Sequence, residues 1–95
     1  MFDIVPSRLF LKQIDKLSAD ARHVLNQKIS LLRKNPFRFK KLHGYRFLFR
    51  IRFSDNHTSK RLIYFVQKNA VKLVCILDRD KDYVNLAEQL ERSFP

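Results

Sequence analysis

Residues 40–53, KKLHGYRFLFRIRF, carry the most regular pattern in the chain. Tyr45, Phe47, Phe49, Ile51 and Phe53 are apolar at every second position, and Arg46, Arg50 and Arg52 alternate with them; only Leu48 breaks step. A period of two over this length predicts a half-buried β-strand at 45–53, because successive side chains point to opposite faces of a sheet. One face, Phe47, Phe49, Ile51 and Phe53, must be covered by other elements. The other is a row of guanidinium groups, alternate residues being about 6.8 Å apart.

The rest of the chain supplies the cover. Residues 2–5 (FDIV), stopped by Pro6, read as a first strand at a sheet edge. Ser7 is a good N-cap for a helix in which Phe10, Ile14 and Leu17 share a face with Leu11 alongside. Ser18 with Asp20 opens a second helix, whose stripe is Ala21, Leu25, Ile29 and Leu32, widened by Val24 and Leu31. Pro36 closes it, and the short turn between the helices predicts an antiparallel hairpin. Residues 37–43 read as a basic connection, and Gly44, the only glycine, as the point where the backbone enters the 45–53 strand. Residues 54–60 read as a polar loop, and 61–66 and 71–77 as two central strands covered on both faces. A tight turn at 67–70 joins those strands, with Asn69 expected in the left-handed conformation. After a charged turn, a final helix is expected over 82–93, its apolar contacts Val84, Leu86, Ala87, Leu90 and Phe94. The order is β-α-α-β-β-β-α, an α+β single domain over 1–95, with the helical hairpin on one face of an antiparallel sheet and a C-terminal helix.

Charge changes the picture from scaffold to function. Twenty Lys and Arg against nine Asp and Glu give a net charge of +11. Self-repulsion on that scale disfavours the compact state, so a polyanionic partner is expected, nucleic acid first, then an acidic protein, then an anionic membrane surface. No apolar run approaches the roughly 20 residues needed to cross a bilayer, and Arg8 and Lys12 interrupt the start before a signal peptide could form. The single cysteine, Cys75, implies no internal disulfide and reads as a small core residue. Together these predict a soluble intracellular protein.

Familiar catalytic constellations are missing. One glycine cannot build a phosphate loop, and the three histidines, His23, His43 and His57, are scattered without metal-ligand spacing, so neither metal nor cofactor is expected. What remains is a set of cations and a tyrosine: Arg50 and Arg52 on one strand face, Arg61 opening the next strand, Arg79 at the end of the third, and Tyr83 four residues on. Singly, each reads as a solvated surface group. As a set on three successive antiparallel strands they fall on one surface, and guanidinium forks grip phosphate bidentately.

The pattern KKLHGYRFLFRIRF, KRLIYFV and VKLVCILDRDKDY, with the order of elements, resembles the RelE/ParE superfamily of toxins from type II toxin–antitoxin systems. The likeness covers nearly the whole chain. It implies a small cytoplasmic, metal-independent endoribonuclease that enters the ribosomal A site, cuts mRNA and is held inactive in a complex with a cognate antitoxin. By position, Arg50 and Arg52 match the family's paired basic residues, Arg61 its phosphate-binding arginine, Arg79 the arginine after the fourth strand, and Tyr83 the C-terminal tyrosine. Lys40, Lys41, Arg46 and Lys81 would add RNA-backbone contacts. The implied reaction is attack of the ribose 2′-hydroxyl on the adjacent phosphate, with the arginines stabilising the phosphorane.

Some RelE-type enzymes carry lysines where this chain has Arg50 and Arg52. With a pKa of roughly 12.5–13.8, arginine does not serve as a general base. Tyr83 among guanidinium groups is one candidate base, with Lys40, Lys41, Lys81 and His43 as others. The main rival expectation is a ParE-like protein that poisons DNA gyrase by binding; a basic module that holds nucleic acid without cutting it is a third. The partner expected in either toxin case is an acidic antitoxin that wraps as a helix or adds a strand at a sheet edge.

Overall fold

The computed structural model describes residues 1–42 and 47–78. The elements are β1 (Asp3–Pro6), α1 (Arg8–Ile14), α2 (Ala19–Leu32), β2 (Lys40–Lys41), β3 (Leu48–Asp55), β4 (Thr58–Gln67) and β5 (Ala70–Asp78). The five strands form one sheet in the order β1-β5-β4-β3-β2. The β3–β4–β5 portion is the expected antiparallel meander, while β1 pairs in parallel with β5 at one edge. Proline at the end of β1 suits that edge, where its missing N–H breaks no ladder.

Local chemistry sets the helix starts. The Ser7 and Ser18 hydroxyls accept from the backbone N–H of Phe10 and Ala21, each satisfying a donor the first helical turn leaves open. Ser7 also donates its hydroxyl to the Val74 carbonyl, and the Gln13 amide bridges both backbone groups of Ile76, at 2.9 Å to the carbonyl and 2.6 Å from the N–H. The edge of β5 beyond β1 is thus completed by side chains of α1 and its cap. At the other helix junction the Ser18 N–H approaches the buried Asp55 carboxylate at the end of β3, at 3.4 Å.

The helices pack on one face of the sheet, α1 over β5 and α2 over β3. Phe10, Leu17, Ala21, Leu25 and Leu32 meet Phe49, Ile51, Phe53, Leu62, Tyr64, Val71, Leu73 and Ile76 in the main core. Leu42, Leu48, Ile63, Val74 and Cys75 form a second buried cluster, to which Phe65 and Leu77 also belong, on the opposite face. The continuous apolar character of β5 has two causes. Both faces are covered, and a bulge between Ile63 and Tyr64 in the β4–β5 pairing leaves Val74 as an extra residue. The phase shift lets Leu73 and Ile76 both face the helices, which strict alternation forbids.

Several expectations change. Residues 54–60 are not a loop: β3 and β4 extend through them to a two-residue turn, Asn56 and His57, at φ 48° and 68°. Positive φ at both central residues belongs to the type I′ hairpin, whose twist matches the strands it joins. In the second hairpin the positive φ falls on Lys68 (56°) rather than Asn69. Lys40–Lys41, read as part of a connection, is a short edge strand. Phe47 is 61% exposed rather than core, and Leu11, Val24 and Leu31 also lie on the outer helix surfaces. The expected C-terminal helix at 82–93 and the roles given to His43, Gly44 and Tyr45 fall outside the described residues.

Candidate nucleic-acid interface

The turn at Asn56-His57 decides the geometry of the arginines. Counting from the Asp55↔Thr58 pair that closes it, the ladder sets Arg52 opposite Arg61 and Arg50 opposite Ile63. Slipping the register by one residue would throw Phe49, Ile51 and Phe53 out of the core, so the hydrophobic pattern locks the same alignment. On the other side of β3, Lys40 pairs with Arg50. Directly opposed residues share a face. One rung of the sheet therefore carries Lys40 and Arg50, and the next carries Arg52 and Arg61, all turned away from the helices.

Backbone polarity tightens this cluster. Leu42 N–H donates to the Leu48 carbonyl at 2.8 Å, so the backbone groups of Leu48 point outward to β2. Arg50 and Arg52 have the same parity, and the Lys28 ammonium, donating to the Arg52 carbonyl at 3.0 Å, agrees with it. Arg52 and Arg61 are thus a non-hydrogen-bonded pair across β3–β4, the type whose Cα atoms approach to about 4.5 Å and whose side chains lie closest. Like charges so placed are destabilising. Arg61 is half-buried and its Nε is shielded from solvent, whereas Arg52 is exposed. Among the described residues no carboxylate lies within ion-pair distance of Lys40, Arg50 or Arg52.

The neighbouring groups explain which residues are structural. Tyr64, on β4 but facing the helices, is fully buried and donates to the Pro36 carbonyl at 2.7 Å. It stacks on Phe49 with centroids 5.3 Å apart, and Phe37 meets Phe49 edge-on at 5.9 Å. Burial pushes the Tyr64 phenol well above its ordinary pKa, and its hydroxyl is committed to the Pro36 carbonyl on the helix side of the sheet. Cys75, opposite Ile63 in the β4–β5 ladder, is buried, and burial pushes its thiol up to about 12. His23 and His57 are exposed, on α2 and in the hairpin turn.

The structure brings Arg50, Arg52 and Arg61 together as expected and adds Lys40 to them. Lys41 is exposed on β2, opposite Phe49 in the ladder, and so sits on the helix-side face of that strand. Arg46, Arg79, Lys81 and Tyr83 lie outside the described residues. Lys28 was not foreseen. It comes from α2, and nothing in the helical pattern distinguishes it from other surface lysines.

The five-stranded sheet with two helices packed on one side has a counterpart among solved structures. An arginine-to-alanine double mutant of E. coli toxin RelE in the free state matches with a TM-score of 0.77 over 96% of each chain, at 22% identity. The chain has the RelE fold. The isolated E. coli RelE toxin in its P21 form matches 97% of this chain and 98% of its own at 23% identity, TM-score 0.72. RelE in the intact E. coli RelBE toxin–antitoxin complex matches 85% of this chain and 100% of its own at 21% identity, TM-score 0.74. No protein-family model and no curated protein matches the sequence. On the RelE fold, the rungs Lys40–Arg50 and Arg52–Arg61 occupy the sheet face away from the helices.

Proposed function

We propose that the protein is a RelE-type toxin, a ribosome-dependent endoribonuclease that cuts mRNA and so stops translation. The observation that carries this reading is the cationic double rung. Four positive groups share adjacent rungs of one sheet face, and cations so placed suit an anion seated among them, guanidinium forks gripping phosphate bidentately. RNA phosphate meets the requirement, and the RelE fold of the chain supports the same choice.

In the proposed reaction the 2′-oxygen forms a bond to the adjacent phosphorus as its proton passes to a base. The bond from phosphorus to the 5′-oxygen then breaks and that oxygen takes up a proton, from a general acid or water, leaving a 2′,3′-cyclic phosphate and a 5′-hydroxyl. Arg50, Arg52 and Arg61 offer N–H donors to the non-bridging oxygens, where charge builds in the transition state. Their fixed charge makes them stabilisers and not proton acceptors. Arg79 is assigned to the leaving 5′-oxygen, and Tyr83 to base stacking or proton transfer. Lys40, directly opposite Arg50 in the β2–β3 ladder, supplies further charge. The +11 net charge steers the protein towards the ribosome and gives strong salt dependence.

An acidic antitoxin is the proposed regulator, in keeping with the E. coli RelE structures that contain RelB. A cytoplasmic location follows from such a target. The test is expression of the chain and its single-alanine variants in bacteria. The parent should arrest growth with cut messages, while Arg61→Ala and Arg79→Ala should relieve arrest. Full toxicity from both variants would place the site elsewhere. Arrest with intact messages and inhibited gyrase supercoiling would favour the ParE-like reading.

A further inference from the structure

Beside the double rung, at the edge of β3, lies a groove of about 320 Å³ lined by Lys28, Phe39, Lys40, Arg50 and Arg52. It joins the two faces of the sheet. Phe39 packs against the helix-side core, whereas Lys40, Arg50 and Arg52 belong to the opposite face. The groove exists because β2 is only two residues long and leaves β3 uncovered from Ile51 onward. Lys28 crosses this gap from α2, and its ammonium is held over the strand edge by the Arg52 carbonyl, 3.0 Å away. Among the described residues this is the one bond the ammonium makes, and an ammonium has three donors. The groove lining contains, among the described residues, four cations, one aromatic ring and no carboxylate.

We propose that this groove is a second RNA subsite, which holds a phosphate of the substrate strand one step from the one among Arg50, Arg52 and Arg61. This rests on the ribonuclease reading above and extends it. Lys28 and Lys40 contact the phosphate from the two sides of the groove, and the Phe39 ring gives the attached nucleoside an apolar surface to rest on. Three features favour RNA over an acidic protein segment. The groove is continuous with the double rung through the shared Arg50 and Arg52, so one strand can run through both. Its volume sits at the small end of the roughly 300–1,000 Å³ usual for small-ligand sites, enough for a nucleotide but not for a helix. Aromatic surface interleaved with cations is the recurring composition of single-strand grooves.

The test uses a short single-stranded 2′-O-methyl RNA, which lacks the attacking hydroxyl, binding to the full chain by fluorescence anisotropy across a salt series. Each phosphate contact contributes about 0.7 to the slope of log K against log salt for single strands. Lys28→Gln should therefore lower the slope by ~0.7, so that between 50 and 500 mM salt the parent loses about five times more affinity than the variant. Lys28→Gln combined with Lys40→Gln should double the change in slope, and Lys28→Arg should restore it. A folded Lys28→Gln protein with the parent's slope and affinity overturns the subsite. So does a variant that loses binding only to an acidic peptide. If the parent binds the oligonucleotide with the Lys28 dependence but leaves mRNA intact on ribosomes, the ribonuclease reading fails and the subsite stands. Cleaved mRNA with an unchanged Lys28→Gln slope is the opposite result.

Discussion

Replacing Arg52 by glutamine is expected to stabilise the fold while weakening RNA binding. Arg52 faces Arg61 across the ladder and has Arg50 one rung along, with the Lys28 ammonium at its own carbonyl. At about 6 Å, two unit charges repel by about 0.7 kcal/mol in water and about 2.8 kcal/mol at an effective dielectric of 20. Arg52 is exposed, so the lower figure is the better guide, and it agrees with the roughly 0.2–1 kcal/mol measured for cross-strand pairs. Lifting the repulsion from Arg61 and Arg50 together should gain about 1 kcal/mol at low salt. For a domain of this size that is a rise in Tm of about 4–8 °C. The Lys28 bond goes to the backbone of residue 52 and survives the change. Urea unfolding at 20 mM and at 1 M NaCl reads the effect, urea being preferred because guanidinium would itself screen the charges. The gain should nearly vanish at 1 M, where the screening length is about 3 Å. A less stable Arg52→Gln protein at low salt, or an equal gain at both salts, would refute the claim that the cations of the double rung repel one another.

Other consequences are independent of the chemistry. Tyr64→Phe leaves the buried Pro36 carbonyl without its donor and should cost about 1–3 kcal/mol in urea unfolding, with RNA binding unchanged; no loss would mean the hydrogen bond is absent in solution. The Cys75 thiol ordinarily titrates near 9.0 and in the folded chain near 12. The unfolded chain thus releases its proton first, and the stability that Cys75 contributes is full below about pH 9 and is lost as pH rises towards 12, at up to about 1.4 kcal/mol per pH unit. Cys75→Ala should flatten the alkaline limb of a stability–pH curve, and an unchanged limb would contradict the burial argument. Gln13→Ala unpairs both backbone groups of Ile76 and should speed amide hydrogen exchange at that residue well before global unfolding.

The sheet was legible in the sequence wherever one face was buried and the other wet. The alternation at Phe49, Arg50, Ile51, Arg52 and Phe53 identified both the strand and its charged face, because burial and exposure alternate there with the pleat. The same logic failed where its premise did. In Val71–Asp78 both faces are buried and a bulge shifts the phase, so no period survives to be read. Asn56 and His57 carry no glycine to mark a type I′ turn, and the polar run around them looked like a loop although its residues pair in register. That correction matters most, because the tight turn is what aligns Arg52 with Arg61. Phe47 keeps the parity of a core residue but lies just before the paired part of β3, where the helices give no cover. Lys28 was illegible for a different reason. Its contribution depends on α2 lying along an edge that a two-residue β2 leaves open, a fact of packing with no local signature.

The most direct test of the central claim is to add the purified chain to ribosomes programmed with a defined mRNA and to analyse the RNA ends. Cleavage within the A-site codon is expected, with a 2′,3′-cyclic phosphate on the upstream fragment, a 5′-hydroxyl on the downstream one, and loss of cutting with Arg61→Ala. Intact mRNA from a folded protein that binds RNA would contradict the central claim.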